Sequence, residues 1–392
     1  MNLYLDNAAT TDLSDSMKEY LTSLLDVWGN PSSLHKEGQK PAQLLRRARR
    51  SVAGLIGAGP EDIFFTPSGS AANTLAVKGL TSEDPRLNRH TVFYSPTSHK
   101  SMLKACESCI SHTQLKVNTF GETDLAYLDN VLSQCGDKSP LVCVEAGNSE
   151  IGTINNVVKI GSLVHRHKGL LTVDATGYIP SYKVDMKSWQ EHVDILTFSG
   201  HKLHALKGIG VLWKRKNIRL KPLIYGSQEQ GLIGGTENVL GIASLGRAAE
   251  EYRYDNVSPA GRDYVYRYIM QNIPLSFPVG PPVESGNRLP HNLFMCFQAV
   301  EGESLMLLLD MHGIRVSTGS ACNQKSLSPS AVLSAIHMNP DHIHSCIRFS
   351  FSGRETEEEL NYVCSTLRQC VLTLRKLNTA YTIQSKDTHK DE

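Results

Sequence analysis

Five short apolar runs, rich in β-branched and aromatic residues, recur through the first half of the chain with helical patterns between them. They are Ile63-Phe64-Phe65, Thr91-Val92-Phe93-Tyr94, Leu141-Val142-Cys143-Val144, Leu170-Leu171-Thr172-Val173 and Ile195-Leu196-Thr197-Phe198. Runs of this length and content read as buried strands, and their alternation with helices predicts an α/β fold with a mostly parallel sheet covered on both faces. From Pro41 to Ile56, Ala42, Leu45, Ala48, Val52 and Leu55 recur at helical spacing, and Arg46, Arg47, Arg49 and Arg50 read as the solvated face of that helix. A single core stops growing at roughly 250–300 residues. The chain has 392, so two unequal domains are expected. The polar stretch Asp255–Asp263, with Pro259 and Gly261, is the candidate boundary. Beyond it Leu305–Leu309 reads as helix, Ile314-Arg315-Val316 as strand and Glu355–Leu374 as a closing helix. Thr356 ahead of Glu357, Glu358 and Glu359 gives that helix a capped, dipole-matched start.

The charge balance narrows the function class. Forty Lys and Arg against 39 Asp and Glu leave a formal charge of +1, without the basic excess of a dedicated nucleic-acid binder. With 20% charged and 40% hydrophobic residues, the composition is that of a soluble globular enzyme. The nine cysteines are odd in number and scattered, which predicts reduced thiols and not a disulfide framework. Cys106 and Cys109 form one Cys-x-x-Cys, but their Lys, Glu and Ser neighbours read as a solvated helix and no second pair with zinc spacing follows, so no metal site is expected. The N-terminus has no basic segment leading into an apolar one, and no run of 18 apolar residues occurs. A cytoplasmic protein with no membrane association is the expectation.

Four segments carry chemistry. In Thr197-Phe198-Ser199-Gly200-His201-Lys202 an apolar strand delivers a lysine into a small-residue turn, and Lys207-Gly208-Ile209-Gly210 leads on to another strand. Partial burial suits such a lysine to form a Schiff base with an aldehyde cofactor and to act as a base once released. Val173-Asp174-Ala175-Thr176 sets an acid at the C-terminal end of a strand, where ligands of open α/β sheets bind. Pyridoxal phosphate needs such a carboxylate beside its ring nitrogen. Phe65-Thr66-Pro67-Ser68-Gly69-Ser70-Ala71-Ala72-Asn73 runs from strand through a small-residue turn into a helix, whose first amides and hydroxyls can cup a phosphate. Finally, Ser317-Thr318-Gly319-Ser320-Ala321-Cys322-Asn323 places a cysteine in a small, polar loop, whereas Cys143 on an apolar strand reads as packing. Nearby, Arg348 stands in the apolar run Cys346-Ile347-Arg348-Phe349, where its fork suits a substrate carboxylate or a structural ion pair.

Taken together, these segments resemble the cysteine desulfurases of the class V aminotransferases, fold type I pyridoxal-phosphate enzymes, and in particular their group I, iron–sulfur-supplying branch. The resemblance runs from Leu5-Asp6-Asn7-Ala8-Ala9-Thr10-Thr11 and Gly29-Asn30-Pro31-Ser32-Ser33-Leu34-His35 to the Arg348 strand. It implies a large domain of about residues 14–255 that holds pyridoxal 5′-phosphate, a smaller α+β domain from 1–13 with 256–378, and a polar tail, 379–392. It implies a homodimer with its site at the subunit interface. Lys202 would carry the cofactor, Asp174 would pair with the ring nitrogen and His99 would stack on the ring. Gly69, Ser70, Ser199, Gly200 and His201 would hold the phosphate, with Thr236 contributed from the other subunit. Arg348 and Asn30 would bind the substrate, L-cysteine. Cys322 would attack its sulfur, giving alanine and a persulfide destined for an iron–sulfur scaffold or a tRNA-thiolation enzyme.

The chain departs from that pattern around the ring. Ala71 stands where the family usually has glutamate, Ser149 where it has the second asparagine of Asn-Asn-Glu-Ile-Gly, Gly177 where it has glutamine and Ile233 where it has arginine; His204-Ala205-Leu206 replaces Tyr-Gly-Pro. Ser149 and Gly177 together remove two hydrogen bonds expected at the cofactor's phenolic oxygen, about 0.5–1.5 kcal/mol each. His204 reads as solvent-facing. The departures leave two alternatives beside the desulfurase. One is a selenocysteine or cystine lyase on the same scaffold, and the other is a scaffold without turnover.

Overall fold

The computed structural model describes residues 1–254, 257–319 and 330–378. After the two-residue strand β1 (Leu3–Tyr4), seven strands make one sheet: β2 (Ile63–Thr66), β3 (His90–Tyr94), β4 (His112–Gln114), β5 (Ser139–Glu145), β6 (Leu170–Asp174), β7 (Ile195–Ser199) and β8 (Gly210–Lys214). Their order across the sheet is β2-β8-β7-β6-β5-β3-β4. The middle is parallel, as the alternation predicts, and β8 runs antiparallel between β2 and β7. All five apolar runs of the sequence lie on these strands. The register places Glu145 of β5 beside Asp174 of β6, and Asp174 beside Thr197 of β7, so three polar side chains meet at the C-terminal ends of adjacent strands.

The remaining strands are β9 (Ser276–Pro278), β10 (Asn292–Phe297), β11 (Ile314–Arg315), β12 (Ser317–Thr318) and β13 (Cys346–Ser350). They form a four-stranded antiparallel sheet, β12-β13-β10-β9, and a short parallel pair of β1 with β11. Leu3 and Leu5 pack with Ile314, Phe349 and Val371 in a core separate from that of the large sheet. The closing helix spans Glu357–Leu377; Thr356 caps it, and Glu359 returns the bond to the Thr356 backbone.

Two surface readings need correction. Arg49 does not lie on a solvated face: it makes a two-pronged ion pair with Glu229, 2.5 and 2.8 Å, and its guanidinium lies 4.7 Å from the centre of the Phe65 ring. Glu229 is itself buried and also accepts from the Phe65 amide, so the arginine compensates a carboxylate that the fold has taken out of water. Likewise the Cys106 helix is not solvated on the side that carries the thiols. Cys106 and Cys109 are buried against Val92, Tyr94, Met102 and Cys143, where a thiol packs as a small hydrophobe. All eight described cysteines are free. Among the described residues no helix is long and apolar enough to cross a membrane, and no group of His, Cys, Asp and Glu is arranged to hold a metal.

Candidate active site

The lysine singled out by sequence stands in a single helical turn, Gly200–Lys202, directly after β7. Its Nζ donates to Ser149 Oγ at 3.2 Å. Around it opens a cleft lined by Asn7, Ala8, Ser149, Thr176, Gly177 and His291, among others. The turn stays close-packed because Gly200 has no side chain: a Cβ there would come within 2.8 Å of Ile209.

Asp174 lies one strand away and is 4% exposed. Its two oxygens are taken by Asn73 Nδ2, 2.7 Å, and by the Thr176 amide, 2.8 Å. Asn73 in turn accepts from Thr197 Oγ1, 2.5 Å, and donates to Ser101 Oγ, 3.0 Å, which contacts His99 Nδ1 at 2.8 Å. One amide thus ties the acid of β6, the hydroxyl of β7 and the histidine that caps the Lys100–Glu107 helix into a single network. His99 is exposed, yet partial removal from water by the surrounding protein lowers its imidazole pKa, with the Asp174 charge opposing and that of Lys202 assisting. Behind Asp174, Glu145 is buried with its carboxyl held well above the ordinary range, by burial first and by Asp174 second.

The phosphate-cup segment forms as expected. The helix Gly69–Lys78 starts on Ser68, whose Oγ accepts from the Ala71 amide. Helical carbonyls cannot reach the amides of Gly69 and Ser70. Ser70 is exposed and Ser199 is buried beside the turn. The two segments meet at Gly69, where an added Cβ would lie 3.1 Å from that of Ser199. His201 is half-buried, its ring contacts Thr10 Oγ1 at 3.1 Å, and its pKa falls to about 4 through burial and the charges of Lys202 and Lys207. Arg348 projects from β13 with Nη2 on Asp6 Oδ1, 2.7 Å, and Nη1 on the Ser149 carbonyl, 3.2 Å.

Comparison with known proteins follows this geometry. The class-V aminotransferase model matches residues 3–363. The chain belongs to the class-V aminotransferase family. A protein of Dictyoglomus turgidum named cysteine desulfurase IscS is 35% identical over 391 residues, 96% of each chain. A solved structure titled NifS-like protein superposes with a TM-score of 0.85 at 28% identity, covering 95% of this chain and all of the other. A third, SspA in complex with cysteine, gives 0.77 at 28% identity, covering 91% of this chain and all of the other.

Class-V aminotransferases use pyridoxal 5′-phosphate, and this site fits it. A buried carboxylate held by two donors would face the ring nitrogen, the free amides of the Gly69 helix with Ser199 and His201 would take the phosphate, and Lys202 would bind the aldehyde. Two of the family departures are coupled here. A Cβ at Gly177 would strike the Gly147 carbonyl at 2.3 Å and Ser149 Oγ at 2.7 Å, so the Ser149 turn occupies the space a glutamine would need. Ser149 keeps a hydroxyl against the lysine, and Asn148 points inward to cap the amides of Glu150 and Ile151.

Two expected residues stand apart from the cleft lining, and a third is not among the described residues. Thr236 is exposed on a loop, and Asn30 is exposed with its Oδ1 on the Ser32 amide, away from the cleft lining. Cys322 lies outside the described residues. His204 lines the cleft and its Nδ1 contacts the Asp12 carbonyl at 2.9 Å, so it is held and not merely solvent-facing. Sequence reading missed Glu145, Glu150, His291 and Asp6. Glu145 ends an apolar strand as Asp174 does, and the same rule would have found it. Glu150 accepts from Ser330 Oγ at 2.6 Å, and burial pushes its carboxyl up to about 7 against the pull of Arg348.

Proposed function

We propose that the protein removes sulfur from L-cysteine, giving L-alanine and a persulfide on Cys322. The observation that carries this reading is Ser149, which takes Lys202 on its hydroxyl and Arg348 on its carbonyl. An amine-handling and a carboxylate-handling group thus flank one residue of the cleft wall, matching the two groups that an α-amino acid carries. The likeness to proteins named cysteine desulfurase, and to one solved with cysteine, supports the substrate. Bound pyridoxal 5′-phosphate would supply the electron sink for a carbanion. Lys202 would then hold and return the α-proton, Asp174 would pair with the ring nitrogen and His99 would cover the ring. In net terms the substrate's carbon–sulfur bond breaks, a sulfur–sulfur bond forms on the Cys322 thiolate, and the thiol proton ends on alanine, so no external oxidant is needed.

The protein would work as a homodimer in the cytoplasm, with the loop of exposed Ile224 and Tyr225 bringing Thr236 to the other subunit's phosphate. We take residues 14–255 as the cofactor-holding domain and 1–13 with 256–378 as the smaller one. The persulfide sulfur would pass to an iron–sulfur scaffold or a tRNA-thiolation enzyme. Replacing Cys322 by alanine tests the core of the proposal: sulfide release in the presence of a reductant should fall roughly 10²-fold or more. Undiminished sulfide with pyruvate in place of alanine would instead identify an elimination, which needs no acceptor thiol.

A further inference from the structure

Arg348 already holds a carboxylate. The N-terminal segment lies along β13: the Ser350 amide donates to the Leu5 carbonyl, and the Ala8 amide donates to Ser350 Oγ. This course sets Asp6 against Arg348, Oδ1 to Nη2 at 2.7 Å, with the two side chains 21% and 11% exposed. The Ser149 carbonyl takes Nη1, whereas Nε is buried and makes no hydrogen bond. With Nη1 on that carbonyl and Nε out of reach, an incoming carboxylate would meet the guanidinium at Nη2 and share it with Asp6.

Before that carboxylate arrives, the Arg348–Asp6 pair is neutral. Afterwards two anions share one cation in a partly buried place, and Glu150, near Arg348, can only add negative charge. The balance is restored by a cation that arrives with the ligand: an α-amino acid brings its own ammonium toward the Lys202 side of Ser149, and a bare carboxylate brings none. We propose that Asp6 is a specificity-determining residue, a resident carboxylate on Arg348 that makes the site favour zwitterionic α-amino acids over carboxylates lacking the amino group. This rests on the reading of Arg348 as the carboxylate site, and rejection here comes from like charge and not from shape.

The test uses the cofactor-loaded, full-length protein and 3-mercaptopropionate, which is L-cysteine without its amino group. Its dissociation constant is measured by calorimetry at low salt, beside the KM for L-cysteine. Asp6→Asn should tighten 3-mercaptopropionate about tenfold or more while KM changes less than about threefold, and Asp6→Glu should restore the discrimination. Asp6→Ser removes the same charge with a smaller side chain and carries the test if the asparagine variant does not fold. Unchanged or weaker 3-mercaptopropionate binding in the charge-free variant overturns the proposal. Arg348→Gln separates the two readings: if it binds 3-mercaptopropionate as well as the parent does, the carboxylate site is elsewhere and the failure lies with Arg348.

Discussion

Lys202→Ala should lose turnover of L-cysteine by roughly 10³-fold or more, because in the proposed mechanism one side chain supplies both the cofactor linkage and the base. The lysine is delivered by the Gly200–Lys202 turn, and its Nζ meets the cleft wall at Ser149. Among the described residues no second lysine lines that cleft. Lys202→Arg should be equally inactive: a guanidinium keeps its proton at any pH of interest and cannot serve as base. The fold should survive both changes, since the half-buried Lys202 side chain is no part of the hydrophobic cores, and an unfolding midpoint within about 1 kcal/mol of the parent is expected. Alanine release, the visible absorption of the purified protein and the midpoint are the measurements. An alanine variant that retained a tenth of the parent's activity would remove Lys202 from its assigned role.

Three of the residues that sequence reading found share one property: each breaks a local pattern. Asp174 is a charge ending a buried strand, Lys202 a charge in a turn of small residues and Arg348 a charge within an apolar run. Such interruptions are visible without a fold because burying a charge is costly unless it has a use or a partner. Asn73, Thr197 and Ser101 break no pattern. They matter only because the register sets Asp174 beside Thr197 and the helix packing brings Asn73 over both. Asp6 illustrates the same limit from another side: its partner is 342 positions away, and only the course of the N-terminal segment along β13 joins them. Arg49 was misread because charges at helical spacing are usually solvated, and nothing local shows that Glu229 is buried beneath it. The ring-side departures were readable as substitutions, but their coupling was not. Gly177 and Ser149 occupy one space, so the pair changed together in effect even though each reads as a separate loss.

His291→Asn should make the protein markedly less sensitive to acid. His291 is buried at the edge of the cleft with Nδ1 2.5 Å from Ser181 Oγ, and its pKa is pushed down to about 3, by burial first and then by the charges of Lys202, Arg348 and Arg262. In the unfolded chain an imidazole takes up its proton near 6.5, about three and a half units higher. The stability contributed by the neutral form is therefore fully present above about pH 6.5 and is lost as the pH falls toward 3, at about 1.4 kcal/mol per unit. Between pH 6.5 and 5 the loss is about 2 kcal/mol, and asparagine, which does not titrate but can still meet Ser181, should abolish it. Urea midpoints at pH 8 and pH 5, compared between parent and variant, isolate the effect, because His201 and the carboxylates titrate in both proteins and cancel in the difference. Equal acid losses in the two proteins would mean that His291 takes up its proton in the folded state near its ordinary pKa.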